Sequence, residues 1–102
     1  MEMKAGARLR SAVCATEIIV VRASGADVDL RCGGQPVTPL SDARDPDATP
    51  DADLATGTAI GKRYADEELG LELLVTKPGA GTLSIGREPM LLKDAKPLPS
   101  SD

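Results

Sequence analysis

Glu17-Ile18-Ile19-Val20-Val21-Arg22-Ala23-Ser24-Gly25-Ala26 and Glu72-Leu73-Leu74-Val75-Thr76-Lys77-Pro78-Gly79-Ala80-Gly81 agree in type and order, and that agreement decides the fold. Each opens on a glutamate, runs through apolar residues to a basic one, and ends in a turn containing glycine. Branched residues over 18–21 predict a strand, and Ser24-Gly25-Ala26 predicts its reversal. In the second copy Pro78 presets one φ and the glycines allow a positive one, a strong turn signal. A short alternating run follows each turn. Val28 and Leu30 point inward with Asp29 and Arg31 outward; Leu83 and Ile85 face the core while Thr82 and Ser84 face water. The copies close alike, on Gly34-Gln35-Pro36-Val37 and Arg87-Glu88-Pro89-Met90, so the offset is 55 at the glutamates (17 to 72) and 53 at the prolines (36 to 89). This is the pattern of an internal duplication.

The expected fold is all-β: two related β-hairpin units packed as a small sandwich or partly open barrel, with about six to eight short strands. Ile18, Val20, Val28 and Leu30 are expected to pack against Leu73, Val75, Leu83 and Ile85. Residues 18–21 are apolar on both faces, which predicts a central strand. Further short strands are expected over 37–40, broken by Pro39, and at Leu91 and Leu92. The units divide the chain into an N-terminal tail (1–10), a first unit (11–40), an acidic Asp/Pro-rich linker (41–55), a second unit (56–95) and a C-terminal tail (96–102). Residues 41–53 carry five aspartates and two prolines with no large apolar side chain, a composition that predicts a solvated connection. It lacks the sixth-position glycine and twelfth-position glutamate of an EF-hand loop.

Composition removes whole classes of function. The 102 residues hold 41% hydrophobic residues but only 1% aromatic, Tyr64 being alone, and no histidine. No Ser-His or Cys-His nucleophile pair and no histidine metal site can form. Lys and Arg number 12 against 16 Asp and Glu, a net charge of -4, which with one aromatic argues against nucleic acid. The longest apolar run is far short of the roughly 20 residues of a membrane helix. No apolar signal core follows the N-terminus, so a cytoplasmic protein is expected. Abundant Ala, Asp and Arg suggest a GC-rich bacterial genome. Gly61-Lys62-Arg63-Tyr64 is a compact basic and aromatic cluster, and Lys62, Arg63 and Tyr64 are candidate partner contacts. Glu17 and Glu72 hold equivalent places and are a candidate carboxylate pair.

Cys14 and Cys32 bracket the first predicted hairpin, whose open end brings them near each other. They fit buried free thiols, a redox-sensitive disulfide, or a metal site. Ser11-Ala12-Val13-Cys14, then a hairpin, then Cys32-Gly33-Gly34-Gln35-Pro36-Val37, resembles the desulforedoxin module, also found at the N-terminus of desulfoferrodoxin. That family has Cys-x-x-Cys, a β-hairpin, and adjacent Cys-Cys-Gly with a Pro-Met-like ending, holding one iron or zinc by four thiolates. The resemblance covers residues 11–38, about a quarter of the chain. It places Cys14 at the second ligand and Cys32 at the third, with Ser11 at the first and Gly33 at the fourth. A four-thiolate site within one chain is therefore excluded, and the second copy has no cysteine. The resemblance implies a scaffold of hairpin modules that pair as a dimer.

The expected function is that of a small non-catalytic accessory or binding protein on a metal-free desulforedoxin-like scaffold, with no cofactor and with a protein partner or self-association. The alternative is a zinc- or iron-binding or electron-transfer module in which Cys14 and Cys32 are shared across a homodimer. Catalysis would have to be thiol chemistry at Cys14 or Cys32. Leu30→Asp is expected to unfold the chain, whereas deletion of residues 45–53 is expected to leave the melting temperature nearly unchanged; thermal melts of both variants check the core and the linker assignments.

Overall fold

The computed structural model describes residues 3–25, 27–42 and 47–92. Among the described residues ten short strands run in chain order: β1 (Arg8–Arg10), β2 (Glu17–Arg22), β3 (Leu30–Cys32), β4 (Gln35–Pro36), β5 (Thr38–Pro39), β6 (Arg63–Asp66), β7 (Leu71–Lys77), β8 (Leu83–Ile85), β9 (Glu88–Pro89) and β10 (Leu91–Leu92). They form two antiparallel sheets packed together without closing into a barrel, one of six strands in the order β10-β6-β7-β2-β1-β5 and one of four in the order β4-β3-β8-β9. Among the described residues there is no α-helix, only a single 3-10 turn at Ala52–Leu54.

Read across either sheet, the order is the same from both ends once β1–β5 are exchanged for β6–β10. The registers obey the same exchange. In the large sheet Ile19 pairs with Leu74, flanked by Ile18 with Val75 and Val20 with Leu73. In the small sheet Arg31 pairs with Ser84, flanked by Leu30 with Ile85 and Cys32 with Leu83. A pseudo-two-fold axis therefore passes through the Ile19–Leu74 and Arg31–Ser84 pairs. Individual hydrogen bonds repeat about it: Gly6 N to Val20 O recurs as Gly61 N to Val75 O, and Gly33 N to Thr82 O recurs as Gly86 N to Asp29 O.

The core lies between the sheets. Leu9, Ile18, Val20, Tyr64, Leu71, Leu73 and Val75 come from the large sheet, and Leu30, Cys32 and Leu83 from the small one. Each such side chain contributes about 1.5–3 kcal/mol of burial, so a core without Phe or Trp is assembled from many aliphatic contributions. Of the eight expected core residues, seven are buried and Ile85 is half-buried. β2 is central, as expected, lying between β1 and β7. Its outer face is only partly covered, since Ile19 is half-buried and Val21 exposed.

The expected all-β architecture of two related units holds, but four local expectations are corrected. First, the two strands of each expected hairpin do not pair. β2 and β3 lie in different sheets, as do β7 and β8, and each meets its counterpart from the other half. The intra-unit hairpins are β1–β2, β3–β4, β6–β7 and β8–β9. Second, residues 1–10 are not a tail where described: Met3 is in the core and Arg8–Arg10 pairs on both edges. Third, Thr82 and Ser84 do not face water. Ser84 is 0% exposed, a small side chain in a cross-strand row between Arg31 and Pro89, and Thr82 Oγ1 bonds Thr56 N at 2.9 Å.

Fourth, the acidic connection is not uniformly solvated. The expectation for residues 43–46 lies outside the described residues, as does that for the C-terminal tail at 96–102. Beyond them, Asp51 N bonds Gly33 O, the 3-10 turn buries Leu54 to 4% exposure, and Thr82 N bonds Leu54 O. Residues 41–53, which carry no large apolar side chain, end one residue short of this anchor. The deletion of residues 45–53 is accordingly now expected to destabilise. Leu54→Ala isolates the effect and should cost about 2 kcal/mol or more in urea unfolding; a change within about 0.5 kcal/mol would return the segment to a solvated linker.

Candidate functional site: a buried thiol and hydroxyl cluster

The connection from β1 to β2 is organised by one hydroxyl. Ser11 Oγ accepts the N–H groups of Val13 and Cys14, both at 3.1 Å, while Ser11 N bonds Thr16 O at 2.9 Å. A serine satisfying the N–H groups two and three residues on is a local alternative to strand pairing, and here it turns the chain so that Cys14 points inward. Cys32 ends β3, ahead of Gly33 and Gly34, whose φ angles of +66 and +89 make the tight turn into β4. These two local geometries bring Cys14 Sγ within 3.8 Å of Cys32 Sγ.

The pair is enclosed. Cys14 is 7% exposed and Cys32 0%, and Ser11 and Thr16 beside them are buried. Thr16 Oγ1 lies 3.2 Å from Cys14 Sγ and 3.0 Å from Thr58 Oγ1. From the opposite half, Gly81 N–H donates to Cys14 Sγ at 3.3 Å. The cover is the 78–81 turn, and its glycines are required there. A Cβ at Gly79 would meet Thr16 N and Thr16 Oγ1 and stand 3.0 Å from Cys14 Sγ; one at Gly81 would stand 2.9 Å from Gly33 N and 3.0 Å from Cys32 Sγ.

The two sulfurs perturb each other in opposite directions. The hydrogen bond from Cys32 favours the Cys14 thiolate and, with help from Ser11 and Thr16, overcomes the burial that opposes it, holding the Cys14 pKa down to about 4. Cys32 is pushed upward, first by donating to Cys14, then by burial and by the adjacent negative charge. This separates a nucleophilic sulfur from a protonated one.

The donor set does not fit a four-thiolate centre. The 3.8 Å sulfur separation does match the edge of a tetrahedron with metal–sulfur bonds of about 2.3 Å. However, the other two corners are taken by protein. Ser11, at the first-ligand position, already accepts two backbone N–H groups. Gly33, at the fourth, has a positive φ, and a Cβ there would stand 2.7 Å from both Pro50 Cβ and Val13 Cγ2. Among the described residues, no three or more Cys, Asp or Glu side chains cluster as a metal site. A site shared across a dimer needs both sulfurs at a surface, and the burial of Cys32 weighs against it.

The other sequence candidates are not brought together. Lys62 and Arg63 are exposed, but Tyr64 alternates inward and is buried, so the three form no continuous contact surface. Glu17 and Glu72 do not converge: Glu17 lies 3.9 Å from Lys77 Nζ and Glu72 3.2 Å from Arg63. The Ser-x-x-Cys spacing points to Ser11 at the site, though not to its work on the N–H groups of the turn. Sequence reasoning missed Thr16, Gly79 and Gly81, which nothing local announces.

Thiolate ultraviolet absorbance tests this separation. We expect one thiolate per folded chain at neutral pH, appearing with a midpoint near 4 and lost in Cys14→Ser, and no second thiolate until well above the ordinary thiol range. Its linkage follows: a depressed Cys14 pKa adds stability that is present above the unfolded thiol pKa and lost as pH falls toward 4. No family model matches the chain, and no curated protein or solved structure matches it either.

Proposed function

We propose that the chain is a small non-catalytic binding protein, acting in the cytoplasm on a desulforedoxin-like β scaffold that stands without its metal. The observation that carries this reading is the filling of the two missing ligand corners. Ser11 Oγ is committed to two N–H groups, and the Gly33 corner is occupied by Pro50 and Val13. A centre whose corners are hydrogen-bonded or packed needs no ion for cohesion. The buried hydrophobic cluster and the strand pairing across the axis supply it instead.

The surface such a protein offers is the outer face of the large sheet. The register sets Arg8, Ile19, Leu74 and Arg63 in one row across four strands. The two apolar residues are half-buried and the arginines exposed. Among the described residues Arg8 has no ion-pair partner within reach. A half-exposed apolar pair flanked by Arg8, with Arg63 on its other side already held by Glu72, suits a protein partner that presents a carboxylate to Arg8 beside an apolar contact.

Native mass spectrometry of protein purified without chelator, with metal quantified and thiols titrated, tests the metal-free scaffold. We expect no bound metal, two thiols per chain after denaturation, and a melting temperature indifferent to chelator. One metal per two chains, with thiols protected until unfolding, would replace this reading by the shared metal centre.

A further inference from the structure

We propose that Cys14 and Cys32 are a dithiol–disulfide site, covered by the 78–81 turn, that a small hydroperoxide oxidises within one chain. The proposal rests on the metal-free reading above, because a bound metal would hold the same sulfurs.

Three observations support it. The sulfurs already stand 3.8 Å apart with no atom of another residue required to leave the line between them. Closing to the disulfide length of about 2.05 Å is a motion of less than about 2 Å, within reach of side-chain adjustment at two loop ends. Second, the polar groups aimed at the pair select one sulfur. Gly81 N–H and Thr16 Oγ1 both approach Cys14, whereas Cys32 ends its strand fully buried. Cys14 is thus the attacking sulfur and Cys32 the resolving one.

Third, the cover is thin and comes from the other half of the chain. Pro78 and Ala80 are exposed and Gly79 is half-buried, while Gly81 is buried against the sulfurs, so the turn that covers them has its outer side in solvent. Its closeness excludes a bulky oxidant from the closed state and favours a molecule the size of a peroxide. Local opening of this turn breaks the Gly81 N to Cys14 Sγ bond and the bonds that join Gly79 to Thr58, Gly79 N to Thr58 Oγ1 and Thr58 N to Gly79 O, and exposes the pair without unfolding the sheets.

The step balances. The Cys14 thiolate attacks one peroxide oxygen and the O–O bond breaks, giving a sulfenic acid at Cys14 and a hydroxide that takes one proton from solvent, replacing the proton Cys14 gave up on ionising, to leave as water. The Cys32 sulfur then attacks the Cys14 sulfur. An S–S bond forms as the S–O bond breaks, and the departing hydroxide takes the Cys32 proton as a second water. Two thiols are oxidised by two electrons and one hydrogen peroxide is reduced. Disulfide formation removes the sulfur that accepts the Gly81 N–H bond in its present place, so the turn must reseat.

Hydrogen peroxide is the probe, applied to the folded full chain with metal content measured on the same sample. The expected product is the intrachain disulfide: both thiols lost, no oxygen added, mass lower by two hydrogens, and full reversal by dithiothreitol. Cys32→Ser should stop at a sulfenic acid on Cys14, trapped by dimedone, and Cys14→Ser should leave Cys32 unoxidised. Gly79→Ala, whose methyl displaces the cover, should oxidise faster than wild type while its circular dichroism still reports the β fold. If metal is absent and both thiols stay inert until denaturation, or if Cys14→Ser oxidises as fast as wild type, the proposal fails while the metal-free reading stands. Metal found on protected thiols overturns both.

Discussion

The pairing of β2 with β7 is the constraint on which the rest of the structure depends. It places Ile18, Val20, Leu73 and Val75 on one buried face and sets Ile19 against Leu74 at the pseudo-two-fold axis. A shift of either strand by one residue would turn its two core side chains, Ile18 and Val20 or Leu73 and Val75, to the outer face, in a core that has no aromatic residue but Tyr64 to compensate. Every other pairing follows outward from it in matched steps. β1 and β6 flank the pair, and β5 and β10 close the edges. The smaller sheet repeats the arrangement with β3 against β8, so the two halves are joined twice, once through each sheet.

The thiol cluster follows from that joining. Cys14 and Cys32 both belong to the first half, yet the N–H on Cys14 Sγ and the glycine backbone over both sulfurs belong to the second. The hydroxyl of Ser11 gathers the N–H groups of the turn that carries Cys14. A neutral hydroxyl satisfies the backbone without drawing a cation, and the remaining thiols are left to polarise each other across 3.8 Å.

What was legible in the sequence is what local chemistry encodes. Alternating apolar residues and turn glycines gave the strands of both copies, and matched order gave their relationship. The partner of each strand was not legible, because β2 and β3 have equally good sequences for pairing with each other or across the axis; closing two sheets around one core selects the second. The acidic connection misled through averaging: five aspartates outweigh Leu54 in composition, but a single buried leucine with backbone bonds on either side fixes a segment. Cys14 and Cys32 were legible as a pair because a chain reversal lies between them. Gly79 and Gly81 read only as a turn, since their contact with Cys14 spans more than sixty residues of chain.

The fused, pseudo-symmetric arrangement has a further consequence. In a homodimer of identical half-chains, any change near one sulfur pair would be imposed on its mate as well. A covalent connection keeps the halves at high effective concentration and releases them from being alike. The positions matching Cys14 and its cover show this: 55 residues on, Leu69 replaces the cysteine while an Asp66 carboxylate takes over the work of Ser11 on its N–H. Opposite Leu69 stands Ser24, the counterpart of Gly79, bonding Leu69 O at 2.8 Å. One corner of the molecule sets two sulfurs beneath a glycine turn, and its twin sets Leu69 beneath Ser24, whose hydroxyl ties it. Division of labour between two copies of one motif is a freedom that only the single chain possesses.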